Sequence, residues 1–74
     1  MRGVIIIGEV CEGELFIDAV EYPDGSRKTT HFVEKHGRIH LGAYPVEKYV
    51  VYFDDEDTPT NLYKRPDNTW YLDE

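Results

Sequence analysis

Cysteine is nearly absent from this sequence of 74 residues: Cys11 is the only one, so no disulfide can form within the chain. Long apolar runs are absent as well. The run at residues 4–7 is far shorter than the roughly 20 residues of a membrane-spanning helix. It is also shorter than the apolar core of a secretory signal, about 7–15 residues. We therefore expect one domain over residues 1–74, located in the cytoplasm and without membrane contact.

Residues that favour helices are scarce. Ala, Leu and Met together number 7, whereas Val, Ile, Thr, Phe, Tyr and Trp together number 27. Branched and aromatic side chains pack well on a pleated sheet and lose rotamer freedom in a helix. Turn signals recur every eight to twelve residues. These features predict a mainly β fold, either a small antiparallel sheet or a partly open barrel of about five strands.

The turn signals divide the chain into predicted elements. Turns are predicted at 11–13, 23–26, 36–38 and 65–68, of which the Pro-Asp-Gly-Ser sequence at 23–26 is the strongest. Strands are predicted over 2–10, 14–22, 28–35 and 49–53, with short strands at 39–41, 62–64 and 69–72. The run at 4–7 predicts a strand that is central or covered on both faces. Pro45 permits either one short helix at 44–48 or an irregular edge, and the order of the strands is left open.

Motifs for nucleophilic catalysis and for phosphate binding are missing. The only serine, Ser26, lies in a predicted turn, and Gly3 and Gly8 bracket a strand. Cys11 has three glutamates within three residues, and negative neighbours lower the reactivity of a thiol. We therefore predict no catalytic residue and no cofactor.

Metal-binding patterns are equally weak. His31, His36, His40 and Cys11 are zinc-binding residue types, but they form no Cys-x-x-Cys motif or tight histidine pair. The acidic run at 54–57 suits a hard cation such as calcium, yet it lacks the glycine and the final glutamate of an EF-hand loop. We therefore predict no metal site.

The negative charge is concentrated towards the end of the chain. The net charge is −7; residues 1–50 carry eight acids and six bases, and residues 51–74 carry seven acids and two bases. The run at 54–57 is either a solvated loop or a surface that contacts a basic partner. Surplus aromatic residues follow it, and exposed Tyr and Trp anchor many interfaces. The predicted partner-binding residues are Asp54, Asp55, Glu56, Asp57, Tyr63, Lys64, Arg65, Trp70 and Tyr71.

Two alternatives stay open. The basic residues of segment 27–48, interleaved with aromatic rings, favour single-stranded nucleic acid, although the net charge opposes it. They are Arg27, Lys28, Lys35, Arg38 and Lys48, with Phe32 and Tyr44. In the second alternative, the strand at 4–7 pairs across a subunit interface in an assembly.

In size, acidity and strand-rich composition the whole chain resembles the small acidic proteins with which bacteriophages redirect host enzymes. Regulators that bind bacterial RNA polymerase are the nearest group in character. No motif carries this resemblance, so it assigns no residue a role. It implies a non-catalytic protein in the host cytoplasm, which regulates transcription by docking on a basic surface of RNA polymerase. On this interpretation free nucleic acid is not the main partner.

Overall fold

Six antiparallel strands follow one another around a closed barrel in the computed structural model, which describes all of residues 1–74. The strands are β1 (Arg2–Cys11), β2 (Glu14–Glu21), β3 (Arg27–Leu41), β4 (Tyr44–Phe53), β5 (Thr60–Lys64) and β6 (Trp70–Leu72). Each pairs with the next, and β6 pairs with β1 to close the barrel. The predicted mainly β, antiparallel fold is confirmed. No helix in the structure is long and apolar enough to cross a membrane.

The core is built from alternate residues of the strands, as expected when one face of a sheet is inside. On β4 these are Tyr49, Val51 and Phe53. The complete cluster of buried side chains comprises Ile17, Val20, Tyr22, Tyr49, Val51, Phe53, Leu62 and Leu72. The apolar run at 4–7 follows the same alternation and is not covered on both faces, because Ile5 is 63% exposed.

Of the two alternatives left open for residues 44–48, a short helix or an irregular edge, the helix is absent. A two-residue turn, Gly42-Ala43, pairs Leu41 with Tyr44, and β4 begins there. In such a hairpin the next pair, His40 and Pro45, exchanges no backbone hydrogen bonds, so the missing N–H of proline faces away from β3. On the other side of β4, the pairing with β5 stops at Glu47. Pro45 therefore has no strand partner on that side, and no backbone N–H is required there.

The turn predicted at 36–38 is a β-bulge. Gly37 has a φ of +92°, which glycine adopts readily, and the register with β4 shifts between Lys35 and Gly37. The chain bends at this position without reversing. The segments predicted as two strands, 28–35 and 39–41, therefore form one strand of 15 residues, β3.

The turns at 22–26 and 65–69 share one design, and both were predicted at these positions. In each, the carbonyl of the first residue accepts the N–H of the fourth, at 2.9 and 3.0 Å. The third residue is aspartate, whose Oδ1 accepts the backbone N–H and the hydroxyl of the fifth residue. Asp24 bonds Ser26 in this way, and Asp67 bonds Thr69. These side-chain bonds hold the turn in a hairpin geometry.

Strands β2 and β3 are paired over only three residue pairs, which involve residues 19–21 and 27–29. Beyond them, residues 14–18 of β2 pair only with β1, and β3 pairs only with β4. The β1–β2 and β3–β4 hairpins therefore diverge and leave a groove between them. The opposite end of the barrel, here called the closed end, holds the 22–26 turn, residues 54–59 and both chain termini.

Candidate protein-binding site

The acidic run lies at the closed end, and all four of its side chains are exposed. Two of them already have partners within the chain. Glu56 accepts a hydrogen bond from Lys28 Nζ at 2.5 Å, and Asp54 Oδ1 lies 3.3 Å from His31 Nδ1. Asp55 and Asp57 form no ion pair. Half of the run is therefore available to a partner without breaking an internal contact.

Glu56 belongs to a polar cluster that covers the core at the closed end. The hydrogen bond from Lys28 to Glu56 raises the pKa of the ammonium group. The same ammonium lies 5.3 Å from the ring centroid of Phe53 and 5.9 Å from that of Tyr22. Tyr22 donates its hydroxyl proton to Glu74 Oε1 at 2.6 Å; burial and this bond raise the pKa of the phenol. Glu56 was predicted only as a binding residue, whereas its contact with Lys28 also joins segments 28 residues apart.

The β5–β6 hairpin places the predicted binding residues in different surroundings. Tyr63 is buried, so its ring is not available at the surface. Trp70 is half-buried and packs on Tyr49, with ring centroids 5.3 Å apart. Lys64 Nζ lies 5.8 Å from the Trp70 ring centroid and 4.0 Å from Glu47 Oε2. These rings and charges already make contacts within the barrel, because closure of the sheet turns one face of each strand inwards.

Arg65 is the exposed member of the predicted binding residues on that hairpin, and Tyr71 lies beside it. The guanidinium carbon of Arg65 lies 4.3 Å above the Tyr71 ring centroid and 5.9 Å from that of Tyr44, which is exposed. Arg65 also lines a cavity of about 440 Å³ together with Arg38 and Lys64. Stacking on tyrosine holds the guanidinium in place while its N–H groups stay free to donate.

The basic residues of segment 27–48 do not form a free stripe. Arg27 donates to Glu21 at 2.9 Å, and Lys28 is held by Glu56. The remaining three, Lys35, Arg38 and Lys48, have no ion-pair partner.

The zinc-binding residue types are also dispersed. No group of three metal-binding side chains lies together. His36 is hydrogen-bonded to Glu34, and His31 lies beside Asp54. Cys11 is exposed at the tip of the β1–β2 hairpin, next to the turn at 12–13.

The most prominent surface was not among the predicted site residues. Residues 8–18, here called the acidic hairpin, contain four carboxylates and no basic residue: Glu9, Glu12, Glu14 and Asp18. Apolar side chains are exposed among them, with Val10 at 71% and Phe16 at 51%. The glutamates can be seen in the sequence. That this hairpin projects from the barrel cannot be seen there, because the projection depends on how β3 diverges from β2.

The groove beside the acidic hairpin has a volume of about 790 Å³. One wall is formed by residues 13–18, and the other by residues 30–33 and 35 of β3; Glu47 and Lys64 also line the groove. Ile17 and Tyr49 are buried at its base, whereas Phe16 and Phe32 are about half exposed, at 51% and 52%. Half-exposed phenylalanines beside carboxylates are typical of a protein-binding surface.

Comparison with protein-family models, characterised protein sequences and solved structures finds no match to this chain.

Proposed function

We propose that this chain is a non-catalytic interaction protein that docks on a basic surface of a larger protein and regulates it. The proposed partner is a nucleic-acid-handling enzyme such as bacterial RNA polymerase, met in the host cytoplasm if a bacteriophage encodes the chain. The observation that carries the proposal is the acidic hairpin, where four carboxylates and no base surround exposed apolar side chains.

Each part of this surface has a physical task in docking. Uncompensated carboxylates attract a basic partner over a distance and raise the rate of association, an effect that salt screens. The exposed side chains of Val10 and Phe16 then supply apolar area that the partner covers. Asp55 and Asp57 add negative charge at the closed end, and Trp70, Arg65 and Tyr71 offer further contacts. Tyr63 has no place in this surface because it is buried.

The test measures association of purified bacterial RNA polymerase with the immobilised chain at low and high salt. Asp55→Ser and Asp57→Ser are each compared with Asp73→Ser, which removes one exposed carboxylate at the chain terminus. We expect binding whose association rate falls with salt and falls further in the Asp55 and Asp57 variants than in the Asp73 variant. No binding at low salt, or an association rate indifferent to salt, contradicts this function.

A second function, binding of single-stranded nucleic acid, is favoured by one arrangement. Arg38, Lys64 and Arg65 line a common cavity, and Tyr44 and Tyr71 lie beside Arg65. Stacking rings next to cations bind single strands with little sequence preference. Binding of a single-stranded oligonucleotide to the same immobilised chain distinguishes the two functions. Binding of the oligonucleotide at low salt, abolished by Arg65→Ser and without binding of the polymerase, selects this second function.

A further inference from the structure

Two unpaired strand edges face each other across the groove. Residues 14–18 of β2 have β1 as their only strand neighbour, and residues 30–35 of β3 have only β4. Backbone donors and acceptors on such an edge are open to another strand. The outer edge of β1 is unpaired too, from Ile5 onwards, but no second strand faces it.

The register of the β1–β2 hairpin shows which backbone groups of β2 point into the groove. The turn residues Glu12 and Gly13 have φ values of 53° and 81°, the arrangement of a two-residue hairpin turn. Its closing pair, Cys11 and Glu14, exchanges hydrogen bonds, so every second residue of β2 directs its N–H and C=O outwards. Those residues are Leu15 and Ile17. The hydroxyl of Thr30 on β3 donates to the carbonyl of Ile17 at 2.8 Å, in agreement with this direction, so an added strand finds the N–H and C=O of Leu15 and the N–H of Ile17 open and replaces Thr30 at the Ile17 carbonyl.

Side chains along the same edge define what an added strand must carry. Ile17 is buried at the base of the groove, and the rings of Phe16 and Phe32 are half exposed on its two walls. Glu14 and Asp18 are exposed and form no ion pair. Neighbouring side chains on paired strands attract when their charges are opposite and repel when they are alike.

We infer that the groove binds an extended segment of the partner as an additional strand on the edge of β2. The segment alternates apolar residues, which lie on the face of the sheet that carries Ile17, with lysine or arginine on the opposite face, beside Glu14, Phe16 and Asp18. This recognition mode rests on the proposed function, since it takes the partner to be basic, and it specifies how contact is made. A second copy of the chain fits less well, because its own acidic hairpin would bring four more carboxylates to this edge.

The test uses a short peptide of alternating lysine and valine as the probe and follows the ¹⁵N-labelled chain by NMR. We expect shift changes centred on Leu15, Ile17, Thr30 and Phe32. The amide protons of Leu15 and Ile17 become slower to exchange, whereas that of Val10, on the outer edge of β1, does not change. Two control peptides are expected to bind at least about tenfold more weakly. One has alternate backbone amides methylated, and the other has glutamate in place of lysine.

Matched variants of the chain separate the groove from net charge. Glu14→Lys/Asp18→Lys and Asp73→Lys/Glu74→Lys change the charge of the chain by the same amount. Because the first pair of changes puts like charges beside the peptide, we expect about tenfold weaker binding for that variant. The second variant is expected to bind within about twofold of the parent, since its substitutions lie away from the groove. Spectra of both variants without peptide establish that the barrel is intact.

Several results would overturn the inference. They are equal binding of the methylated peptide, unchanged amides in β2, and equal losses in the two charge variants. Light scattering that shows a dimer whose Leu15 and Ile17 amides are already protected would assign the groove to a second copy. Peptide binding in the groove without polymerase binding would refute the proposed partner and leave the groove intact. Polymerase binding that does not change with Glu14→Lys/Asp18→Lys would refute the groove and the docking role of the acidic hairpin, and would leave the proposed partner unaffected.

Discussion

Asp24 and Asp67 perform the same task at the third position of two turns. In each, the hydroxyl of the residue two positions later donates to the carboxylate, and the backbone N–H of that residue adds a second bond. The side-chain bond is the larger cause that holds the pKa of both carboxyl groups below the ordinary value, and the backbone bond adds to it. A lowered pKa in the folded state stabilises the fold while the group is charged.

The first prediction concerns pH. Stability from these carboxylates is fully present above the pKa of an unfolded aspartate, about 3.9, and is lost as pH falls through the lower pKa of the folded state. Asp67→Asn removes the titrating group, so we expect a smaller loss of stability on acidification than in the parent. Urea unfolding followed by Trp70 fluorescence over a pH series measures this. Asp73→Asn, whose side chain accepts no hydrogen bond in the structure, serves as the control, and an acid loss unchanged by Asp67→Asn refutes the assignment.

At the scale of strands, three bulges lie along the two hairpins that leave the barrel. The register of β1 with β2 shifts between Ile7 and Gly8, and that of β3 with β4 shifts between Thr30 and Phe32 and again between Lys35 and Gly37. A bulge bends its strand and increases the local twist. The bulges therefore direct the hairpins apart, and the groove is the space that results.

The second prediction tests the bulge between β1 and β2, whose extra residue, Asp18, lies on β2. A Cβ atom on Gly8 would lie 2.0 Å from the carbonyl oxygen of Phe16 and 3.0 Å from Cα of Ile17, both on the backbone of β2. Gly8→Ala therefore requires the acidic hairpin to shift, at a cost of about 1–3 kcal/mol. Hydrogen exchange by NMR measures the effect. We expect faster exchange at residues 9–17 than in the parent.

Gly3→Ala is the matched control for this change. A Cβ on Gly3 meets only the ring of Tyr71, at 3.7 Å, which is an ordinary contact. Exchange in the acidic hairpin should be unaffected by this variant. If Gly8→Ala leaves the exchange of residues 9–17 unchanged as well, the close approach of the two strands is not what fixes the hairpin.

Strand-scale features differ in how far the sequence predicts them. The turns at 23–26 and 65–68 were predicted because their bonds lie within five residues, at positions set by Pro-Asp. The signal at Gly37 was misread because a turn and a bulge use the same backbone conformation, and only pairing with β4 distinguishes them. Pro45 left two alternatives open for a similar reason, since the tolerance of a strand for proline depends on where β5 ends.

The features of the candidate site likewise divide into those that the sequence predicts and those that depend on the assembled barrel. Exposed carboxylates at 54–57 and in the acidic hairpin can be read directly from the residue types. The contact of Glu56 with Lys28 could not be, because it forms only when the closed end is assembled. The burial of Tyr63 depends on the closed sheet in the same way, and so does the opening between β2 and β3.

For the molecule as a whole, closure depends on a short strand. Strand β6 has three residues and joins β5 to β1, with Leu72 paired to Leu62 on one side and to Arg2 on the other. Only 11 of the 74 residues are buried, so each core side chain contributes a large share of the stability. Leu62 and Leu72 are both fully buried. The pair that joins the closing strand to β5 is therefore also part of the core.

The third prediction is that Leu72→Ala loosens the barrel along the β1–β6 pairing. Removing a buried leucine side chain costs about 2–5 kcal/mol, a large part of the roughly 5–15 kcal/mol available to a folded domain. Urea unfolding should give a lower midpoint, and the amides of Gly3 and Val4 should exchange faster than those of the β3–β4 hairpin. Val10→Ala, at a site 71% exposed, should change stability by no more than about 0.5 kcal/mol. Equal midpoints for the two variants would mean that β6 does not hold the barrel closed. The loss of stability would then be the same for a buried leucine of β6 and for an exposed valine of β1.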